Sequence, residues 1–246
     1  MIKMKLLKIA VIACLAVVAI SCDNSGKKEP VVPEYQTEAF VKQQVEQMMQ
    51  LNDYFDMDQL LSADMLALQK KAQRVHYYGD FCKGFCWNTG IMDACSEEQT
   101  VSIEGVKPID SLHCDVAMRY VDEGCYDEPY TLHLLWENGQ WRIDDMNYGD
   151  EMSATLREDC EEFYANMVEI YTTTPAAEIM EEMKEEEPME ELYTDPACFY
   201  YNNPAGVQEL IDDIKTCHEL FKQNPEYTEE YGKQIDEMIA RIAAHL

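Results

Sequence analysis

The chain has 246 residues, 47% of them apolar, which is enough to build a core and argues against global disorder. Its 48 acids against 19 Lys and Arg give a net charge of −29, a field that repels phosphate backbones and excludes nucleic acid as a partner. The same field repels anionic head groups, so a hold on a membrane must come from acyl chains rather than charge. Basic peptides and divalent metals remain admissible, and the plain reading is that acidity keeps a surface protein soluble.

Lys3, Lys5 and Lys8 precede an apolar run from Ile9 to Ile20, which ends in Ala19-Ile20-Ser21-Cys22. A basic start, a short apolar stretch and small residues before a cleavage point read as a secretory signal over residues 1–21. The run is too short for a comfortable membrane span. Cys22, at the position that follows cleavage, resembles the lipobox cysteine of bacterial lipoproteins. The resemblance implies that Cys22 is acylated, becomes the mature N-terminus and anchors the protein in the bacterial cell envelope, in an inner or outer membrane. An ordinary signal peptide and an uncleaved anchor are the other readings. Three lysines and no acid leave with residues 1–21, which takes the charge from −29 to −32. Residues 22–35, polar and holding Pro30 and Pro33, read as a flexible tether.

With Cys14 removed and Cys22 acylated, eight cysteines remain: Cys82, Cys86, Cys95, Cys114, Cys125, Cys160, Cys198 and Cys217. An even count in an exported chain points to disulfides, but eight cysteines allow 105 pairings and sequence does not choose among them. Several suit an apolar core as free thiols.

From about residue 36 a helical pattern places Phe40, Val41, Val45, Met48 and Met49 on one face. A second, over roughly 58–75, carries Leu60, Leu61, Met65, Leu66 and Leu68. Residues 76–98 are irregular and rich in Gly, Cys and aromatics, the kind of long loop that is functional or cross-linked. The period then changes to two. A strand over 100–106 is followed by 112–120, with Leu112, Cys114, Val116, Met118 and Tyr120 on one face, and by 130–136 with Tyr130, Leu132, Leu134 and Trp136. Asn138-Gly139 suits a type I′ hairpin, setting Trp136 opposite Trp141 and Leu134 opposite Ile143. After Tyr148 the chain reads as helical. Leu156, Cys160, Phe163, Tyr164, Met167, Ile170 and Tyr171 make one stripe, and the acidic stretch 176–192 is interrupted by Pro188. Asn203-Pro204 starts a helix with Val207, Leu210, Ile211, Ile214, Cys217 and Phe221 inward. Asn224-Pro225 breaks it, Thr228 caps the next, and the pair reads as an αα-hairpin.

The order helix, helix, long loop and antiparallel meander, with Leu60-Leu61-Ser62 and the ending Gly139-Gln140-Trp141-Arg142-Ile143-Asp144-Asp145, resembles nuclear transport factor 2-like domains. The likeness covers about 36–148. It implies an α+β cone: helices packed on a curved antiparallel sheet, followed here by an all-helical region over 149–246. It also implies a pocket between sheet and helices, which in different members holds a steroid, a polyketide or a peptide. Enzymatic members place an Asp–His pair or an Asp base in it. No residue here matches that motif by position, so no catalytic role is carried over.

His133 and Asp144 fall opposite each other in the hairpin register, with Arg119 in reach, an arrangement general base catalysis needs. They lie on the face opposite Trp136 and Trp141, however, and read as a solvated ion pair if the tryptophan face is the core. Cys82-Lys83-Gly84-Phe85-Cys86 has neither the zinc nor the thioredoxin spacing and reads as a disulfide pinning the loop; His76, Cys95 and His113 would join a metal site there only by a coincidence of folding. The glutamates of 178–191 lack a calcium-loop pattern and read as a solvated face or connector. Tyr77, Tyr78, Phe81, Phe85 and Trp87 form the binding candidate, either contacting a ligand at a pocket mouth or closing the core beneath the loop. Phe199, Tyr200 and Tyr201 read as filler between the two halves. No cofactor or metal motif is legible. The leading reading is a lipid-anchored, non-catalytic binding or interaction module for a protein or small-molecule ligand. A small-molecule enzyme of the lyase, isomerase or hydrolase kind, and a purely structural envelope component, are the alternatives.

Overall fold

The structure is a computed structural model that describes residues 32–51, 59–76, 82, 84–87, 99–123, 125–148, 155–185 and 202–246. The chain divides into two units, Met1–Val32 and Pro33–Leu246. Val32 is the one described residue of the first, so the signal, Cys22 and most of the tether lie outside the described residues.

The second unit is α+β. A 3-10 turn (Glu34–Gln36) leads into α1 (Glu38–Met48) and α2 (Ala63–Gln73). Four strands follow, β1 (Gln99–Pro108), β2 (His113–Asp122), β3 (Tyr126–Glu137) and β4 (Gln140–Asn147), in an antiparallel sheet whose spatial order is the chain order. Then come α3 (Leu156–Thr173), α4 (Ala176–Glu185), α5 (Pro204–Phe221) and α6 (Glu229–Ala243). Side-chain oxygens of Thr37, Ser62, Thr155, Asn203 and Thr228 cap α1, α2, α3, α5 and α6, and Thr155 forms a reciprocal capping box with Glu158.

The hairpin forms as its sequence dictates. Asn138 and Gly139 both have positive φ (53° and 84°), the type I′ requirement, and Trp136 pairs with Trp141 and Leu134 with Ile143. One step further the register slips, because His133 pairs with Asp145 and Asp144 is an extra, bulged residue. A bulge re-aims the side chain it carries, and Asp144 is turned toward Ser62.

Tyr35, which the sequence assigns to the tether, is part of the fold. Its ring stacks on Trp136 with centroids 4.4 Å apart, and its carbonyl accepts from Trp141 Nε1 at 2.8 Å. The buried faces form two apolar cores. One collects the inner sheet face with Val41, Val45, Leu60, Leu61, Met65, Leu156 and Cys160. The other joins Tyr171, Ile179, Met183, Val207, Ile214, Phe221, Ile235 and Met238. Helix α3 belongs to both, and Tyr171 Oη donates to the His76 carbonyl at 2.9 Å.

Ser62 fastens α2 to the edge strand. Its N–H donates to the Ile143 carbonyl (2.8 Å), its Oγ donates to Asp144 Oδ1 (2.6 Å), and the same Oγ accepts from Met65 N (3.1 Å). Ser62→Ala removes a cap and leaves a carboxylate without its buried donor, so it should cost about 2 kcal/mol in urea unfolding. A loss below about 0.5 kcal/mol would contradict this anchoring role.

Candidate functional site

Inner-face positions of β2 run Cys114, Val116, Met118, Tyr120, Asp122, all buried. Those of β3 run Tyr130, Leu132, Leu134, and β4 adds Trp141, Ile143 and Met146, with Tyr148 just beyond. Toward the β2–β3 turn this face changes from aliphatic to phenolic. Met118 pairs with Tyr130, so Tyr120, two residues along, is the diagonal neighbour of Tyr130 on the same face. Both rings are buried and neither hydroxyl has a hydrogen-bond partner among the described residues. An orphaned hydroxyl costs about 1–3 kcal/mol, and native cores rarely tolerate one without a reason. Burial raises both phenols above the usual tyrosine range, with Asp122 and Tyr126 adding to the effect at Tyr120 and Cys86 at Tyr130. Asp122, wholly buried, closes the same row.

Sulfur gathers at the neighbouring edge of this core. Cys82 and Cys160 are both buried, with Sγ atoms 3.5 Å apart. Burial pushes the Tyr148 phenol up, as do the nearby Asp159, Cys86, Cys160 and Cys82. The segment carrying Cys82 and Cys86 is tied down elsewhere too. Phe85 N donates to Gln69 Oε1 (2.8 Å) and Trp87 Nε1 to the Leu51 carbonyl (3.2 Å). Gly84 has φ +66°, and a Cβ there would press on Gln69 and Gln73, so both backbone and packing demand glycine.

The residues singled out from sequence are partly brought together. Phe85 and Trp87 touch edge to face (5.1 Å) and are buried in the sheet core. Tyr77, Tyr78, Phe81 and the Phe199–Tyr201 cluster lie outside the described residues, as do Cys95 and Cys198. His133 does not meet Asp144. Its Nδ1 is 2.8 Å from Asp115 Oδ1 across the other neighbouring strand, while Asp144 binds Ser62 and lies 3.5 Å from Arg157. The bulge in β4 is the physical reason for that correction. Arg119 is likewise engaged elsewhere, reaching Asp127 with Nε and Nη2 (2.6 and 2.7 Å) and Glu104 at 3.1 Å. His113 pairs with Asp110 in the β1–β2 turn. Among the described residues no three His, Cys, Asp or Glu side chains stand where they could share a metal ion.

The cysteines correct a second expectation. Cys82 and Cys86 are not joined to each other; Cys82, Cys114, Cys160 and Cys217 are free thiols, whereas Cys125 at the β2–β3 turn is disulfide-bonded. Within α4, Glu178, Glu181 and Glu182 lie on the solvated side of a helix whose Ile179, Met180 and Met183 are buried; residues 186–191 of the acidic stretch lie outside the described residues. Between α5 and α6 an open groove of about 450 Å³ exposes Lys215, Lys222 and Lys233 around a buried His218, whose Nε2 lies 2.9 Å from Tyr227 Oη. Each lysine has an acidic neighbour, Asp212, Glu219 or Glu237, so the groove presents no unbalanced positive field.

Neither the orphaned phenols nor the Cys82–Cys160 approach is legible in sequence. The strand alternation did mark Tyr120 and Tyr130 as inward-facing, which is the signal that leads to them. Protein-family models, curated proteins and solved structures were compared with this chain and none matches. Among the described residues no helix is long and apolar enough to cross a membrane.

One buried acid sets a pH dependence. Asp213 on α5 has a carboxylate oxygen buried without a partner among the described residues, and desolvation pushes its carboxyl up to about 7; Glu209 and Asp212 push the same way and Arg74 opposes them. A carboxyl raised in the folded state holds its proton there longer than in the unfolded chain. Its favourable contribution is complete below the ordinary aspartate pKa of 3.8 and is lost as pH rises through about 7. Asp213→Asn should therefore raise the melting temperature by about 3 °C at pH 8 and change it little at pH 3.5. Calorimetry showing equal shifts at both pH values would refute the assignment.

Proposed function

We propose that the protein is a bacterial envelope lipoprotein, anchored by acyl chains on Cys22, whose α+β unit binds a ligand without transforming it. In this reading the sheet and helices form a nuclear transport factor 2-like cone. Contact of α1 with both edge strands, β1 and β4, supports a sheet bent around that helix. The observation that carries the binding reading is the pair of buried hydroxyls of Tyr120 and Tyr130 on the inner face, unpartnered among the described residues. Two desolvated phenols held in one neighbourhood are matched by a neutral acceptor such as a ketone, ester or peptide carbonyl, which would satisfy both donors. A carboxylate would bring an unpaired charge beside the buried Asp122, so a neutral ligand fits better.

Tyr120→Phe and Tyr130→Phe separate binding from packing. Without ligand each variant loses a hydroxyl that has no partner among the described residues, so stability should hold or rise by up to about 1 kcal/mol. In a thermal-shift screen of neutral carbonyl compounds, including steroids, polyketides and short peptides, hits on the wild-type protein should weaken about 5–10-fold in each variant. A loss of stability in both variants, with no compound binding, would mean that the hydroxyls have partners and the reading is wrong.

Asp122 favours a second reading, an enzyme of the lyase, isomerase or hydrolase class. A buried carboxylate in line with two phenols offers a base beside hydrogen-bond donors for a developing oxyanion. Mass analysis of each bound compound after incubation distinguishes the two. Recovery unchanged supports a binding module; conversion abolished by Asp122→Asn supports the enzyme.

The anchor has its own test. Cys22→Ala should leave an unacylated precursor that loses metabolic labelling with palmitate, whereas undiminished labelling would remove the lipobox from the proposal.

A further inference from the structure

We propose that Cys82 and Cys160 are a redox pair that closes to a disulfide by exchange with an oxidising disulfide, locking the 82–87 segment onto α3. The two sulfurs stand 3.5 Å apart although 78 residues separate them in sequence. Closing that gap to a bond requires about 1.5 Å of movement, which Cys82, itself outside helix and strand, can supply while α3 stays in place. Two other free thiols are engaged elsewhere. Cys114 Sγ lies against the Asp115 carbonyl and Cys217 Sγ against the carbonyls of Arg74 and His76.

The surroundings divide the labour between the two sulfurs. The hydrogen bond between the two sulfurs draws the Cys82 thiol down, helped by the Gly84 backbone and opposed by burial and Asp159. The same bond pushes the Cys160 thiol up, and burial adds to it. Cys82 is 7% exposed against 0% for Cys160, so it is the sulfur an incoming disulfide can reach, the attacking thiolate, and Cys160 is the resolving thiol.

In the first step the Cys82 thiolate attacks one sulfur of a donor disulfide such as oxidised glutathione. A mixed disulfide forms, the donor S–S bond breaks, and one donor thiolate leaves. Cys160 then gives up its proton to solvent and attacks the Cys82 sulfur, expelling the second donor thiolate. Two protein thiols lose two electrons and two protons, and one donor disulfide becomes two thiols. Oxidation ties segment 82–87, already held by Gln69 and Leu51, to a third element.

The test is disulfide mapping of the purified protein after equilibration with oxidised or reduced glutathione, alkylation of the remaining thiols, digestion and mass spectrometry. The expected result is a linked Cys82–Cys160 peptide in the oxidised sample of both the wild type and Cys86→Ser, absent from the reduced sample. The oxidised form should melt about 10 °C higher, because a cross-link across so long a loop restricts the unfolded chain. In Cys160→Ser, Cys82 should accumulate as the glutathione mixed disulfide. A Cys82–Cys86 linkage, or full alkylation of Cys82 and Cys160 after oxidation, overturns the proposal. The wild-type map decides the matter even if Cys160→Ser fails to fold.

Discussion

The attachment of α2 to strand β4 through Ser62 is the contact on which the rest of the fold depends. A four-stranded sheet has one apolar face, and that face is stable only when something covers it. Each large side chain there contributes about 1.5–3 kcal/mol when buried, and Trp141, Ile143, Leu132, Leu134, Met118 and Val116 are all nearly inaccessible. Ser62 fixes the first residue of the covering layer to the sheet's edge while capping the helix that provides the cover. Helix α2 then packs against α3, and α3 runs on from the sheet core into the helical core. At that far end Asn224 turns the link between α5 and α6 into a fastening. Its amide donates to the carbonyls of Tyr171 and Thr174, and its oxygen accepts from Glu226 N.

The outer sheet face works by different physics. Arg119 with Asp127 and Glu104, and His133 with Asp115, are exposed or half-exposed pairs. Pairs of that kind contribute about 0–1 kcal/mol each and weaken with salt. They cannot outweigh the inner face, so the tryptophan side decides which way the sheet turns. The acidic excess is carried the same way in α4, where glutamates face solvent over a row of Ile and Met.

Where one residue's neighbours fixed its environment, sequence reading worked. The caps Asn203 and Thr228, the Asn138-Gly139 turn and the Trp136–Trp141 register all rest on local chemistry, and all stand in the structure. His133 and Asp144 show where the method ends. A perfect ladder places them opposite, but one bulged residue shifts every later pairing of β4 by one, and nothing in the local pattern announces a bulge. Segment 82–87 shows a second limit. Its partners Gln69, Leu51 and Cys160 lie 16 to 78 residues away, and a CxxxC spacing carries no information about a third cysteine on a distant helix.

The two unusual chemistries of this molecule share a wall. Cys86 neighbours both Tyr130 and Tyr148, and Tyr148 in turn neighbours Cys82 and Cys160. The phenolic end of the inner sheet face and the dithiol thus lie within electrostatic reach of the same residues. Any displacement of Cys82 toward α3 moves a segment that also carries Cys86 and Phe85, because only Lys83 and Gly84 separate Cys82 from Phe85. Packing at this density transmits such a shift rather than absorbing it. In the binding and redox readings proposed above, closing the Cys82–Cys160 bond would therefore change the room beside the Tyr130 hydroxyl.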